Sequence, residues 1–389
     1  MMEQPAKPNI LSPEKGYSRP LDGLRGVAIL LVLVFHNFDY LHIFSFGWVG
    51  VDIFFVLSGY LITTTFLKSL DSTQPILLFY TKRLLRIFPL YYLSLILLLF
   101  VLPIFIHSPS FRLAPAHRPW FWFFLENWMY VLGKAPSYEG PQLRHFWSLA
   151  LEEQYYLIWP WVLLLVKKPQ HLIRVIICTL ILLFISRAII WSTAGKDFTY
   201  NVIVFFRIEG LCIGSMLAIA VFYKTPSMDN RLRTAFWWTL AACLLIQLLR
   251  RAGIVDLPFF GLGGYLLISL TVAALIRYVT VHQERKIFCG SLLVLAGRIS
   301  FGWYIFHWPL YLVLNQKVAY FLAANIGGHT AQVAALPPMP FRIASSIICI
   351  LLSGLMAYVS YHGFEIYFLR LKKRLSFSHG HLGTEKEIL

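Results

Sequence analysis

The sequence predicts an all-α membrane protein, a polytopic bundle of about ten transmembrane helices with both termini cytoplasmic. Three observations carry this. Of 389 residues, 58% are hydrophobic and only 13% charged, with mean hydropathy +0.67. A soluble domain carries about 25% charged residues, so this surface cannot be solvated by water throughout. The apolar residues fall in runs close to the roughly 20 residues that a spanning helix needs. Lys and Arg, 34 against 18 Asp and Glu for a net charge of +16, gather at the ends of those runs, as topology signals and anionic headgroups require. A nucleic-acid protein would cluster such an excess on a soluble face, so no nucleic-acid partner is expected.

Residues 1–18 are polar, with Pro5, Pro8 and Pro13 and no secretory signal, and are expected to form a disordered cytoplasmic tail. Apolar runs follow at 26–45, 48–67, 85–106, 146–166, 172–192, 202–222, 234–249, 258–279, 297–316 and 341–363. With the N-terminus inside, the inner connections hold more than twice as many basic residues as the outer ones, which fits an even number of spans. The stretch 119–132 (PWFWFFLENWMYVL) is short and rich in Trp and Phe, so an interfacial or re-entrant helix is expected there. Long outer connections are expected at 107–145, which includes His117 and His145, and at 317–340, around Pro337, Pro338 and Pro340. No repeat and no second soluble domain is evident. Residues 19–375 are read as one transmembrane domain and 376–389 as a short cytoplasmic tail. The five cysteines are odd in number and lack metal-ligand spacing, so they are read as packing residues and no metal is expected.

Ionisable groups inside apolar runs are costly and each needs a reason. Arg25 and His36 are eleven residues apart, three helical turns and about 20°, so they share one face roughly 16 Å apart. A snorkelling arginine and an interhelical histidine would explain this pair alone; a buried imidazole is also a proton acceptor. In the second run, Asp52 is expected to cap the helix start more readily than to pair with an arginine. Ser58-Gly59 suits close helix packing; no nucleophile elbow surrounds Ser58. Lys82, Arg83 and Arg86 form a basic cluster at the inner end of the third run, either a topology signal or a phosphate holder. Glu152 and Glu153 lie about two turns inside the fourth run, about 10 Å from its outer end. They are either partners of Arg144 or an intramembrane arginine, or an acid/base. Arg207 and Glu209 are expected to make interhelical bonds, and Ser300, Tyr304 and His307 share one helix face beside Pro309. Together these groups suggest a polar interior without naming what enters it.

In family terms, six segments in order carry a resemblance. They are RPLDGLRG running through Arg25 and on to His36, GVDIFFVLSGYLIT, KRLLRIFPLYY, FWSLALEEQYYLIWP, GRISFGWYIFHWP and FEIYFLR. The chain resembles the acyltransferase family 3 membrane proteins over about residues 17–375. The resemblance implies an O-acyltransferase of the cell (inner) membrane. It would move acetyl from cytoplasmic acetyl-CoA to a hydroxyl of an extracytoplasmic carbohydrate. It makes Arg25 and His36 the essential Arg–His pair, Lys82, Arg83 and Arg86 the holder of the CoA phosphates, and Glu152 or Glu153 the catalytic carboxylate. His36 would be general base or acyl carrier, Arg25 would orient the donor or steady charge, and the carboxylate would orient His36 or take its proton. The chain resembles the stand-alone form, without a C-terminal hydrolase-like domain. The rival class is a transporter or flippase of a lipid-linked or small glycan. It is disfavoured by the absence of repeat symmetry.

Overall fold

The computed structural model describes residues 18–106, 111–132, 141–205, 207–224, 228–253, 263–282, 286–325 and 338–372. No strand occurs among them, and every one of the ten apolar runs carries a helix. The helices are α1 (Arg19–Asn37), α2 (Val49–Ser69), α3 (Pro75–Ile96), α4 (Arg118–Trp122), α5 (Glu126–Val131), α6 (Trp147–Leu165) and α7 (Pro169–Phe205). They continue with α8 (Glu209–Phe222), α9 (Met228–Arg251), α10 (Tyr265–Val281), α11 (Ser291–Arg298), α12 (Ser300–Asn325) and α13 (Met339–Ser360). Among the described residues five helical stretches are both long and apolar enough to cross a membrane: Arg19–Asn37, His42–Ser69, Pro75–Phe105, Pro169–Ile190 and Met339–Lys372. Helix α6 falls short of that hydropathy because Glu152, Glu153 and Gln154 interrupt its apolar run.

Small residues set the closest approaches. A Cβ on Gly59 would strike the backbone of Leu211, and one on Gly214 that of Val56, so α2 and α8 pack backbone to backbone. Gly26 of α1 and Gly297 of α11 do the same for α1 and α11, and Gly23 lies against the backbone of Phe288, ahead of α11. Gly59 thus has the packing role expected of it. Interhelical bonds sit beside these contacts: Trp159 Nε1 donates to Thr63 (2.7 Å), and Thr63 to Ser215 (2.8 Å), joining α6, α2 and α8.

Several buried charges pair between segments. Arg207 donates to Asp52 at 2.6 Å, and Arg187 makes two 2.8 Å bonds to Glu209. The Arg207 guanidinium lies 4.2 Å from the Tyr265 ring centroid, with Trp48 and Trp147 on its other sides. Asp52 therefore does not cap α2, whose N-terminus shows no side-chain cap. In a bundle without water the stronger pull on a carboxylate comes from a buried guanidinium, and Asp52 is 1% exposed. Arg207 and Glu209 make the interhelical bonds expected of them.

Two loop expectations change. The aromatic stretch 119–132 is not one helix; it holds α4 and α5, broken where Phe124 takes φ +54°. Residues 317–325 of the expected outer loop continue α12, since a Leu/Ala-rich sequence prolongs the helix. Residues 1–17, 107–110, 133–140, 326–337 and 373–389, which include both expected tails, lie outside the described residues.

At the start of α5, Glu126 is fully buried and neither carboxyl oxygen has a hydrogen-bond partner among the described residues. Burial pushes this carboxyl well above the usual carboxylate range. The folded protein therefore keeps a proton that the unfolded chain releases above pH ~4.3, and stability falls as pH rises. Glu126→Gln should raise the thermal midpoint by a few degrees at pH 8, about 2–4 °C per kcal/mol, and much less at pH 5. An equal effect at both pH values would contradict a neutral Glu126.

Candidate functional site

The site begins with a missing hydrogen bond. Pro309 in α12 has no N–H, so the carbonyl of Ile305, four residues earlier, has no helical donor. His145, in the turn Pro141–Phe146 ahead of α6, places Nε2 3.3 Å from that carbonyl. A carbonyl only accepts, so His145 carries its proton on Nε2. Its Nδ1 is buried with no partner.

His307 follows two residues after Ile305 and is fully buried. Its Nδ1 lies 2.6 Å from the Tyr304 carbonyl and 3.2 Å from that of Trp303. The proton is therefore on Nδ1, and Nε2 presents a lone pair. That lone pair faces Nδ1 of His36, 2.9 Å away on α1. His36 must donate from Nδ1, which leaves its Nε2 unprotonated. The two rings stack with centroids 5.1 Å apart, and the His145 ring meets His307 edge-on at 5.3 Å. Tyr304 donates to the His145 carbonyl (2.8 Å) and takes a 2.7 Å bond from Ser148. A backbone carbonyl thus fixes the tautomer of His307, and His307 fixes that of His36.

The predicted carboxylates sit further in. Glu152 accepts from Ser58 on α2 (2.8 Å) and from Tyr156, one turn along α6 (2.9 Å). It makes no ion pair within 4 Å among the described residues, and His36 has His307 as partner instead of the expected carboxylate. Glu152 and Glu153 both act electrostatically on Arg83, whose guanidinium lies 5.4 Å from the Tyr156 ring. Arg25 is within reach of Arg86, Asp22 and Glu152, and its Nε is buried without a partner. Lys82, Arg83 and Arg86 lie together toward the start of α3.

The predicted residues form two groups along one polar file. His36 stands at one end; Arg25, Lys82, Arg83 and Arg86 gather toward the other, with Glu152 and Glu153 between. His307 and Tyr304 were visible in the sequence as a helix face, but not as partners of α1. His145 was visible only as a loop histidine; the signal that places it is Pro309, which marks the free carbonyl four residues upstream.

The family model described as "Acyltransferase domain" matches residues 20–358, and the chain belongs to acyltransferase family 3. It is similar to peptidoglycan O-acetyltransferase OatA of Listeria monocytogenes, 28% identical over 335 residues, covering 82% of this chain and 53% of that protein. YrhL of Bacillus subtilis is 32% identical over 324 residues, covering 78% and 50%. O-acetyltransferase OatA of Staphylococcus aureus is 28% identical over 375 residues, covering 90% and 57%. The chain spans about half the length of the curated relatives it matches. No solved structure matches it.

The tautomers are directly observable. Nitrogen NMR of histidine-labelled protein should show His36 and His307 protonated at Nδ1 and His145 at Nε2. Nε2 protonation of His307 would contradict the relay from Tyr304 to His36.

Proposed function

We propose that the chain is an O-acetyltransferase of the cell membrane. It takes acetyl from cytoplasmic acetyl-CoA and delivers it to a hydroxyl of an extracytoplasmic glycan. In this reading the chain crosses the membrane about ten times with both termini cytoplasmic. The observation that carries the reading is the hydrogen bond from His36 to His307, which leaves His36 Nε2 free to accept a proton.

The CoA phosphates bind at Arg83 and Arg86 through charge-assisted bonds, with Lys82 beside them. Arg25 lies roughly 16 Å from His36 along α1, too far to touch groups reacting there. Its role is to hold the donor. The pantetheine arm then follows the polar file past Glu152 and Glu153 toward His36. Glu152 keeps Ser58 and Tyr156 in place along the file.

At His36 the acceptor hydroxyl gives its proton to Nε2 as its oxygen attacks the thioester carbonyl. The new C–O bond forms and the C–S bond breaks. The proton on Nε2 passes to the departing thiolate, giving free CoA and returning His36 to its starting tautomer. The imidazolium formed between these steps keeps both N–H groups directed, Nδ1 toward His307. The peptidoglycan O-acetyltransferases among its relatives support a glycan acceptor; for this chain the class proposed is a carbohydrate hydroxyl.

The test is acetyl-CoA turnover by protein in liposomes supplied with glycan fragments. His36→Ala should lower kcat by about 10²–10⁴. His307→Ala should lower kcat with the KM for acetyl-CoA unchanged, and His307→Gln, which retains an acceptor for His36, should recover part of it. Arg86→Gln should act mainly on KM. Full activity in His36→Ala would overturn the reading.

A further inference from the structure

A fifth cation joins the basic cluster from the far end of the chain. Beyond α13 the helix passes through a π turn, Tyr361–Glu365, and runs on to Lys372. The π turn packs against α3. Glu365 is buried there, takes a 3.1 Å bond from Ser360 and feels Arg86. Lys372 lies seven residues later, two turns within about 20°, so it shares the α3-facing side roughly 10 Å further along. The groups that act on Lys372 most strongly are Arg86, Arg83, Lys82 and Arg25. All four are cations.

Lys372 is half-buried, and so are Lys82, Arg83, Arg86 and Arg25. None of the five side chains makes a hydrogen bond, or an ion pair within 4 Å, among the described residues. Nearby carboxylates serve other cations of the group: Glu365 faces Arg86, Asp22 faces Arg25, and Glu152 and Glu153 face Arg83. A partly desolvated cluster of like charges is unfavourable unless an anion of several charges enters it. Arg86 and Arg83 act on Lys372 more strongly than Lys82 and Arg25 do. A CoA thioester carries two phosphate groups close together, a pyrophosphate and a ribose 3′-phosphate, so five gathered cations match its charge. Planar guanidinium forks suit the pyrophosphate, and a flexible ammonium suits a terminal phosphate monoester.

We propose that Lys372 clamps the ribose 3′-phosphate of the donor and makes the protein select CoA thioesters over their 3′-dephospho counterparts. The proposal rests on the acetyl-CoA reading above and deepens it.

The test uses the full chain in phosphatidylcholine nanodiscs, with acetyl-CoA and acetyl-3′-dephospho-CoA titrated by calorimetry. Wild type should bind acetyl-CoA about tenfold more tightly than the dephospho compound, the scale of one charge-assisted contact. Lys372→Gln should lose that tenfold on acetyl-CoA, bind the dephospho compound as wild type does, and melt normally. Lys372→Arg should retain most of the discrimination and serves as control should the Gln variant fold poorly. Equal discrimination by wild type and Lys372→Gln would overturn the assignment while leaving the donor reading intact. Absence of binding of either compound to wild type would overturn the donor reading itself. If Lys372→Gln leaves CoA affinity unchanged but loses co-purifying anionic lipid by mass spectrometry, the phosphate held there is a lipid headgroup, and the assignment fails.

Discussion

Inside a helical bundle a backbone carbonyl left without its helical donor is costly, because hydrocarbon offers it no partner. Pro309 removes one N–H from α12, and the freed Ile305 carbonyl must be met from elsewhere. His145 meets it, which draws the turn before α6 onto α12. The same helix uses the Tyr304 carbonyl to hold the proton of His307 on Nδ1. The lone pair left on His307 then faces α1 and selects the tautomer of His36. A chain of single acceptors and donors sets the chemistry of one nitrogen, without a carboxylate in the line.

The same constraint divides the remaining charges by fate. Where a partner is at hand, the pair closes: Arg207 on Asp52 and Arg187 on Glu209, both buried, with Trp48, Trp147 and Tyr265 around Arg207 and Tyr265 also against Arg187. These pairs tie α2, α7 and α8 beside the histidines, and removing one partner alone would strand a buried charge at a cost of about 3–5 kcal/mol. At the opposite end of the file the cations do not close on anything. Arg25, Arg83 and Arg86 make no ion pair within 4 Å among the described residues, while Glu152, near them, accepts from Ser58 and Tyr156. Paired charges tie the helices together, and the cations without a partner are the ones assigned to the donor in the proposal above.

Much of this was legible before the fold. Helical periodicity puts Arg25 and His36 on one face, and it groups Tyr304 with His307, because both statements concern one helix at a time. Gly59 was readable as a packing residue from its setting beside Ser58. Contacts between distant segments were not legible. The partner of His36 lies 271 residues away, and that of Asp52 lies 155 away. Asp52 near a helix start looked like a cap because the rule for caps is local, whereas its partner arrives with α8. In the sequence Lys372 is one of four basic residues within 370–374, after the last apolar run, and nothing there sets it apart; the π turn at Tyr361–Glu365, which sets its direction, has no sequence signature.

The central claim is that one polar file joins a donor site at the cationic end to a base at the histidine end. Oriented proteoliposomes test it most directly. Labelled acetyl-CoA is confined to the face bearing Lys82 and Arg86, and a glycan fragment to the opposite face. The account predicts label on the glycan only in this arrangement, and none with the donor moved to the histidine side. Transfer that requires donor and glycan on the same face would contradict it.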